Sequence, residues 1–348
     1  MSDMNSVPAP APPTQQPRRK LGTGAIIGIA GGGVAVLVVL ALVIAFAVVP
    51  RSGPSAAANP GGPSDVVRTF LTALSKSDAK SALAQIDNVR DRTYLTDRML
   101  RASNKAAPLH GIVVGKNTDS TSYSAKVEAI YSVGSKKFTT SFSLLKSKDA
   151  WHMGDPTSAI FANFYTPLGL TLNGIPVDGK TIRVFPGSYT LALTQPNFRL
   201  EGDTTVLIGT ADSVSPTATA KLTESAVATF RELVKKDVDA CVASRSLEPG
   251  CGMKVAETSS DGTRVIDGTL TRTLSASTPA KLAALEPQYF GATPLVVRTG
   301  IVGAMDTTGD CEKDGKRSAC RLLGGETIRS ARVDFSTTTP TLSWDPTN

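Results

Sequence analysis

Residues 64–86 read SDVVRTFLTALSKSDAKSALAQI, and this stretch decides the fold. Ser64 is a good N-cap, and Asp65 suits the positive end of a helix dipole. Val66, Val67, Phe70, Leu71 and Leu74 follow at helical spacing and mark one buried face. After Lys76-Ser77-Asp78 a second short helix offers Ala79, Ala82, Leu83 and Ile86. A third, Leu95 to Ser103, offers Leu95, Met99 and Ala102. The period then changes to two. Ile112–Lys116, Ser122–Val133 and Lys137–Lys148 read as strands, with Gly134-Ser135 as a hairpin turn, and Trp151 and Met153 end the unit. Helices followed by paired strands predict an α+β domain over residues 64–160.

Toward the C-terminus, residues 161–217 read as a small β module. LTLNGIPVDG holds an Asn173-Gly174 turn, a strong short-range hairpin signal, and TIRVF, SYTLALT, FRLEG and TTVLIGTA follow as strands. Residues 218–348 predict a second α+β domain. Thr223 caps a helix reaching Ala243, with Val227, Phe230, Val234, Val238 and Cys241 near one face. Strands are expected over Thr263–Leu274, Leu295–Met305, Cys320–Leu323 and Thr327–Phe335, with a last one near Leu342.

Toward the N-terminus lies an uninterrupted apolar run, Ala25 to Val49, without a charge. As a helix it would be about 37 Å long, enough to cross a hydrocarbon core of about 30 Å with some tilt. Arg18, Arg19 and Lys20 precede it and only Arg51 follows closely, so the positive-inside rule places the N-terminus in the cytoplasm and the remainder outside. A cleaved signal would have an apolar region of about 7–15 residues. Residues 1–24 are then a Pro-rich cytoplasmic tail, 25–49 a single-pass transmembrane helix, and 50–63 a Pro/Gly/Ala linker. Gly24, Gly28 and Gly32 recur every four residues and would line one helix face, where a second copy's backbone could approach in a homodimer; glycine is also simply common in membrane helices.

The four cysteines, Cys241, Cys251, Cys311 and Cys320, all lie beyond the span, which suits an oxidising compartment. Four cysteines allow three connectivities, and sequential pairing is the economical one. Cys311 and Cys320 are equidistant from Gly315-Lys316, a Gly-X hairpin turn across which they would face each other. Charge is uneven: residues 64–150 carry 14 Lys/Arg against 8 Asp/Glu, and residues 151–348 carry 19 against 21. The basic part sits beside the membrane, where anionic lipid or wall polymer would meet it. No basic-aromatic interleaving suggests nucleic acid.

VVRTFLTALSKSDAKSALAQI, then YLTDRMLRAS, then long paired strands ending in DAWHMGDP resemble the nuclear transport factor 2-like fold, in particular the small domains of unknown function found in bacterial membrane proteins and lipoproteins. The resemblance spans residues 64–155. It implies helices against a strongly bent antiparallel sheet, with a cone between them that can form a pocket. The whole arrangement is similar to single-pass proteins of Gram-positive cell envelopes.

No catalytic constellation is legible. Enzymatic branches of that fold place Asp, His, Arg or Tyr inside the cone; the two histidines, His110 and His152, read as surface or structural groups. Ser77-x-x-Lys80 and Ser143-x-x-Lys146 match an S-x-x-K spacing without its companion motifs. Asp310, Glu312, Asp314 and Gly315 imitate the start of a calcium loop, but Arg321 stands where a bidentate Glu is needed. No metal or cofactor motif is present. The expectation is a non-catalytic scaffold or binding protein of the envelope, its partners the bilayer and a protein or cell-wall polymer. The alternative is a ligand sensor or enzyme using the pocket of residues 64–160; packing of Phe70, Leu83 and Trp151 into the cone would count against it.

Overall fold

The computed structural model describes residues 61–322 and 326–345, which fall within one compact unit, Ala58–Asn348. The expected tail, transmembrane helix and all but the end of the linker, with Arg18, Arg19, Lys20, Gly24, Gly28 and Gly32, lie outside the described residues. Among the described residues no helix is long and apolar enough to cross a membrane.

Helix α1 (Pro63–Ser75) begins one residue before Ser64. Pro63 takes the first helical position, where a missing N–H costs nothing, and Gly62 becomes the N-cap. The Asp65 carboxylate accepts from the Gly62 amide at 3.1 Å, so it closes the cap as well as facing the dipole. Its buried face is Val66, Val67, Phe70, Leu71 and Leu74. The Asp78 side chain caps α2 (Ala79–Leu83), and Thr96 caps α3 (Asp97–Ala106).

Four antiparallel strands follow in sheet order β1 (Leu109–Thr118), β2 (Ser124–Val133), β3 (Lys136–Ser147) and β4 (Ala150–Met153). His110 thus lies within the first strand, not ahead of it. Gly134 takes a left-handed φ of 56° in the tight β2–β3 turn, and two register shifts bend β1. Val127, Ala129, Tyr131, Val133, Phe142 and Leu144 alternate onto the face that packs on α1, and Phe70 meets Phe142 edge-on at 6.1 Å.

The next strands are β5 (Ser158–Phe161), β6 (Leu170–Leu172), β7 (Ile175–Pro176), β8 (Thr181–Val184), β9 (Gly187–Leu193), β10 (Phe198–Glu201), β11 (Thr205–Ile208) and β12 (Thr219–Leu222). They form a sheet of order β11-β9-β6-β7 and two paired ribbons, β5 with β8 and β10 with β12. Asn173 and Gly174 both adopt positive φ in the expected turn. These strands do not build a closed core. Phe185 enters the cluster beneath the first sheet, 6.2 Å from Phe70, while Met99 of α3 enters the cluster around Tyr189. Ser103 is buried on α3 in place of the expected Ala102, because its hydroxyl accepts the Ser188 amide at 2.9 Å. Gly187 lets α3 come that close: a Cβ there would stand 2.2 Å from the Ser103 Oγ.

The remaining elements are α4 (Glu224–Ala243), β13 (Arg264–Val265), β14 (Thr271–Leu274), α5 (Thr278–Ala283), β15 (Gln288–Tyr289), β16 (Val296–Arg298), β17 (Gly303–Lys313), β18 (Lys316–Arg321), β19 (Glu326–Ile328), β20 (Ala331–Asp334) and β21 (Thr341–Trp344). The Thr223 hydroxyl caps α4, whose Phe230, Val234, Val238 and Cys241 are buried. Two runs expected as single strands are divided. Gly268, at a φ of 76°, separates β13 from β14, and Thr299–Val302 separate β16 and β17 into different sheets. At the far end of α4 the buried Arg272 donates to the Ser244 and Ser246 carbonyls, each at 2.8 Å, giving the negative end of the helix a cation.

Cys241 is bonded to Cys251 and Cys311 to Cys320. The hairpin of the second bridge turns at Asp314-Gly315, both with positive φ, rather than at Gly315-Lys316. An Asp-Gly pair suits a turn that needs two left-handed residues. Cys311 therefore lies opposite Ser318, Cys320 opposite Gly309, and the bridge runs diagonally across the ladder.

Phe185→Ala should lower stability by about 3–5 kcal/mol. Because Phe185 belongs to the core beneath β1–β4 while its neighbours belong to the next sheet, urea unfolding should keep one transition at a lower midpoint. Two separated transitions would show that the two regions fold independently.

Candidate functional site

Phe70 is fully buried in the core against the first sheet, and Leu83 and Trp151 pack against that core as half-buried groups. The candidate site is a cavity of about 360 Å³ at the mouth of the bent sheet, within the usual range of about 300–1,000 Å³ for small-ligand sites.

Three stretches, with Tyr131 and Pro186, form its walls: Thr139–Ser143 of β3, Met153–Pro156 from the end of β4, and Gly209–Asp212 after β11. Their arrangement follows from where β4 stops. It pairs with β3 only from Ser147 back to Leu144, Gly154 adds one bond to the Ser143 carbonyl at 2.9 Å, and the chain then leaves the sheet. Pro156, which has no N–H to give a ladder, follows. Among the described residues no strand pairs with the rest of β3 on that side.

The opposing wall is held by two hydroxyls from the sheet. Tyr131 and Thr140 donate to the same Gly209 carbonyl, at 2.5 and 2.6 Å. Only glycine fits there, since a Cβ would fall 2.1 Å from the Phe138 ring. Ser158 donates to the Thr210 carbonyl, and the Thr210 hydroxyl donates to Asp212 at 2.8 Å. Asp155 accepts from the Thr157 amide and hydroxyl and from Arg183 at 2.8 Å. Burial pushes the Tyr131 phenol up to about 12, although its hydrogen bond with Thr140 acts the other way.

The residues singled out from sequence lie elsewhere, with one exception. Ser143 lines the cavity, but a spacing of three on a strand turns Lys146 to the opposite face, and Lys146 pairs with Asp149. The Ser77 hydroxyl accepts from Asn104 at 2.9 Å. The His110 ring bonds the Gly134 carbonyl at 2.9 Å, and His152 sits half-buried in β4. Asp310 pairs with Arg317 across the β17–β18 hairpin, and Glu312 pairs with Arg264 of β13. Among the described residues no three His, Cys, Asp or Glu side chains gather as a metal site. Sequence reasoning missed Tyr131, Thr140, Asp155, Gly209 and Asp212. The only local trace was the Thr139-Thr140-Ser141 run on a strand.

No family model matches the chain, and no curated protein matches it. The crystal structure of a "Putative NTF2-like transpeptidase" from Campylobacter jejuni is similar to part of it, covering 27% of this chain and 99% of its own length at 18% identity, with a TM-score of 0.22. The likeness is distant and partial, and no family assignment follows from it.

Tyr131 should make stability fall at alkaline pH. Its phenol ionises near 10 in the unfolded chain and near 12 in the fold, so its contribution is complete below pH 10 and is lost as the pH rises toward 12. The full loss is on the order of 3 kcal/mol. Urea midpoints at pH 8 and pH 11 should therefore differ less in Tyr131→Phe than in the wild type. An equal difference in both would place the alkaline sensitivity elsewhere.

Proposed function

We propose that this protein is a membrane-anchored, extracytoplasmic binding protein of the cell envelope with no catalytic activity of its own. Two disulfides indicate an oxidising, extracytoplasmic environment. The apolar run of residues 25–49, with Arg18, Arg19 and Lys20 before it, supports a single-pass anchor with a cytoplasmic N-terminus. Its glycine row, Gly24, Gly28 and Gly32, supports a homodimer through that helix.

The observation that carries the binding reading is how the cavity wall is committed. The Tyr131 and Thr140 hydroxyls serve Gly209, Asp155 serves Arg183 and Thr157, and Thr210 serves Asp212. A phenol held up near 12 is no base at neutral pH. What these walls offer an occupant is hydrogen bonding, from serine and threonine hydroxyls and from main chain, which suits retention of a protein segment or wall polymer.

A photo-activatable residue at Ala211, on the cavity wall, should cross-link the full-length protein to its occupant in intact cells, while the same residue at the exposed Lys236 of α4 should not. Equal adducts at both positions, or none at Ala211, overturn the cavity as the binding site. Turnover of wall fragments by the purified full-length protein overturns the non-catalytic reading. Protease added to whole cells should digest residues 61–348; their protection until the cells are permeabilised overturns the topology.

A further inference from the structure

The lane that β4 vacates along β3 has the properties of a strand-addition site. We propose that the cavity binds an extended peptide as an added strand, antiparallel to β3, with its amino end toward Asp212 and an acidic residue or carboxylate toward Lys136 and Lys137. This inference rests on the cavity being the binding site, and it specifies the class of occupant.

The main chain makes the first argument. Gly154 donates to the Ser143 carbonyl, so odd-numbered residues of β3 direct their peptide groups toward the β4 side. Lys146 donates to the Tyr123 carbonyl, so even-numbered residues face β2. By this alternation the N–H and C=O groups of Thr139 and Ser141 open into the vacated lane, and neither residue has a hydrogen-bond partner on that side among the described residues. Both line the cavity. Thr139 to Ser143 span about 14 Å of lane at about 3.4 Å per residue. An edge with alternating donors and acceptors is the recognition surface of peptides that bind by strand addition.

Direction follows from chemistry and continuity. β4 already runs antiparallel to β3 and leaves at Gly154, so a peptide in the lane continues the line of β4. Asp155 is already paired with Arg183, so the end at which β4 leaves carries Asp212, and the other end carries Lys136 and Lys137. Antiparallel entry sets an ammonium beside the Asp212 carboxylate and an acidic group beside the lysines. A second copy of β3 fits less well. Antiparallel pairing centred on Thr140 would set Lys136 and Lys137 of each copy beside Leu144 and Ser143 of the other, with no acid to meet them, and lysines on an edge are a device by which natural edges resist self-association. The flanking walls are Met153–Pro156 and Gly209–Asp212.

The test uses full-length protein in detergent micelles and a fluorescent peptide, Lys-Thr-Val-Thr-Val-Glu, compared with the same peptide N-methylated at alternate residues. The unmodified peptide should bind, slow amide exchange of Thr139 and Ser141 at least tenfold, and lose at least tenfold in affinity on N-methylation. Ser141→Pro removes a lane N–H that β2 does not use, so it should abolish binding without a change in melting temperature. Should that variant fail to fold, Lys137→Glu and Asp212→Lys provide the second reading: each should weaken the peptide, and the pair together should favour a peptide of reversed charge order. Absence of binding, binding indifferent to N-methylation, or protection elsewhere with Thr139 and Ser141 unprotected overturns strand addition. Concentration-dependent protection of these amides without peptide would make a second copy the occupant and overturn the peptide. If strand addition fails while Ala211 still cross-links in cells, the cavity remains the site and only the class of occupant falls.

Discussion

The structure depends on a reciprocal exchange of side chains between two sheets. Phe185, carried by the strands after the first sheet, fills the core beneath β1–β4, and Met99, carried by the helices before it, fills the next core. Between them α3 lies against β9, where the Ser103 hydroxyl satisfies the Ser188 amide and Gly187 leaves room for it. Neither core is complete without a residue from the other, and a close-packed interior does not tolerate the void that separation would leave. The relative placement of the two sheets is therefore set by packing and not by a linker. That placement brings Gly209 over the sheet within reach of Tyr131 and Thr140, and so makes the cavity.

Local signals were legible and long-range ones were not. The helix of Val66 to Leu74, the Asn173-Gly174 turn and the Thr223 cap each depend on a few neighbouring residues, and each stands where the pattern puts it. The mixed α+β character, with several antiparallel sheets, follows from the same patterns. Ser103 shows the limit. Periodicity prefers an alanine on the buried face of α3, and only a partner 85 residues away explains the serine. The Asp314-Gly315 turn was decided by backbone handedness, which the symmetry of the cysteines about Gly315-Lys316 concealed. The candidate site depended still more on distance. Tyr131 and Gly209 are 78 residues apart, and a carbonyl acceptor leaves no mark in a sequence.

The cavity also shows how a sheet can keep an open edge without exposing it broadly. A long unpaired strand invites indiscriminate pairing. Here β4 covers one part of β3, the Gly209–Asp212 segment stands over another, and Lys136 and Lys137 charge the far end. What remains open is a short lane of known polarity.

The chemistry of the lane follows from the same economy. Two sheet hydroxyls are spent on one carbonyl to hold its outer wall, so the wall is fixed before any occupant arrives. A preformed site loses less entropy on binding than one that must order itself. The Thr139 and Ser141 peptide groups meanwhile have no main-chain partner on the lane side among the described residues. An occupant that supplies matching main-chain groups exchanges water for ladder hydrogen bonds, each worth about 0.5–1.5 kcal/mol net. On the proposed reading a few such bonds would give weak, sequence-tolerant binding, and discrimination would rest on the charges at the two ends of the lane. If the proposed anchor holds this protein at a membrane, it would meet its partners repeatedly at high local concentration, and weak main-chain recognition with charged ends would suit that setting.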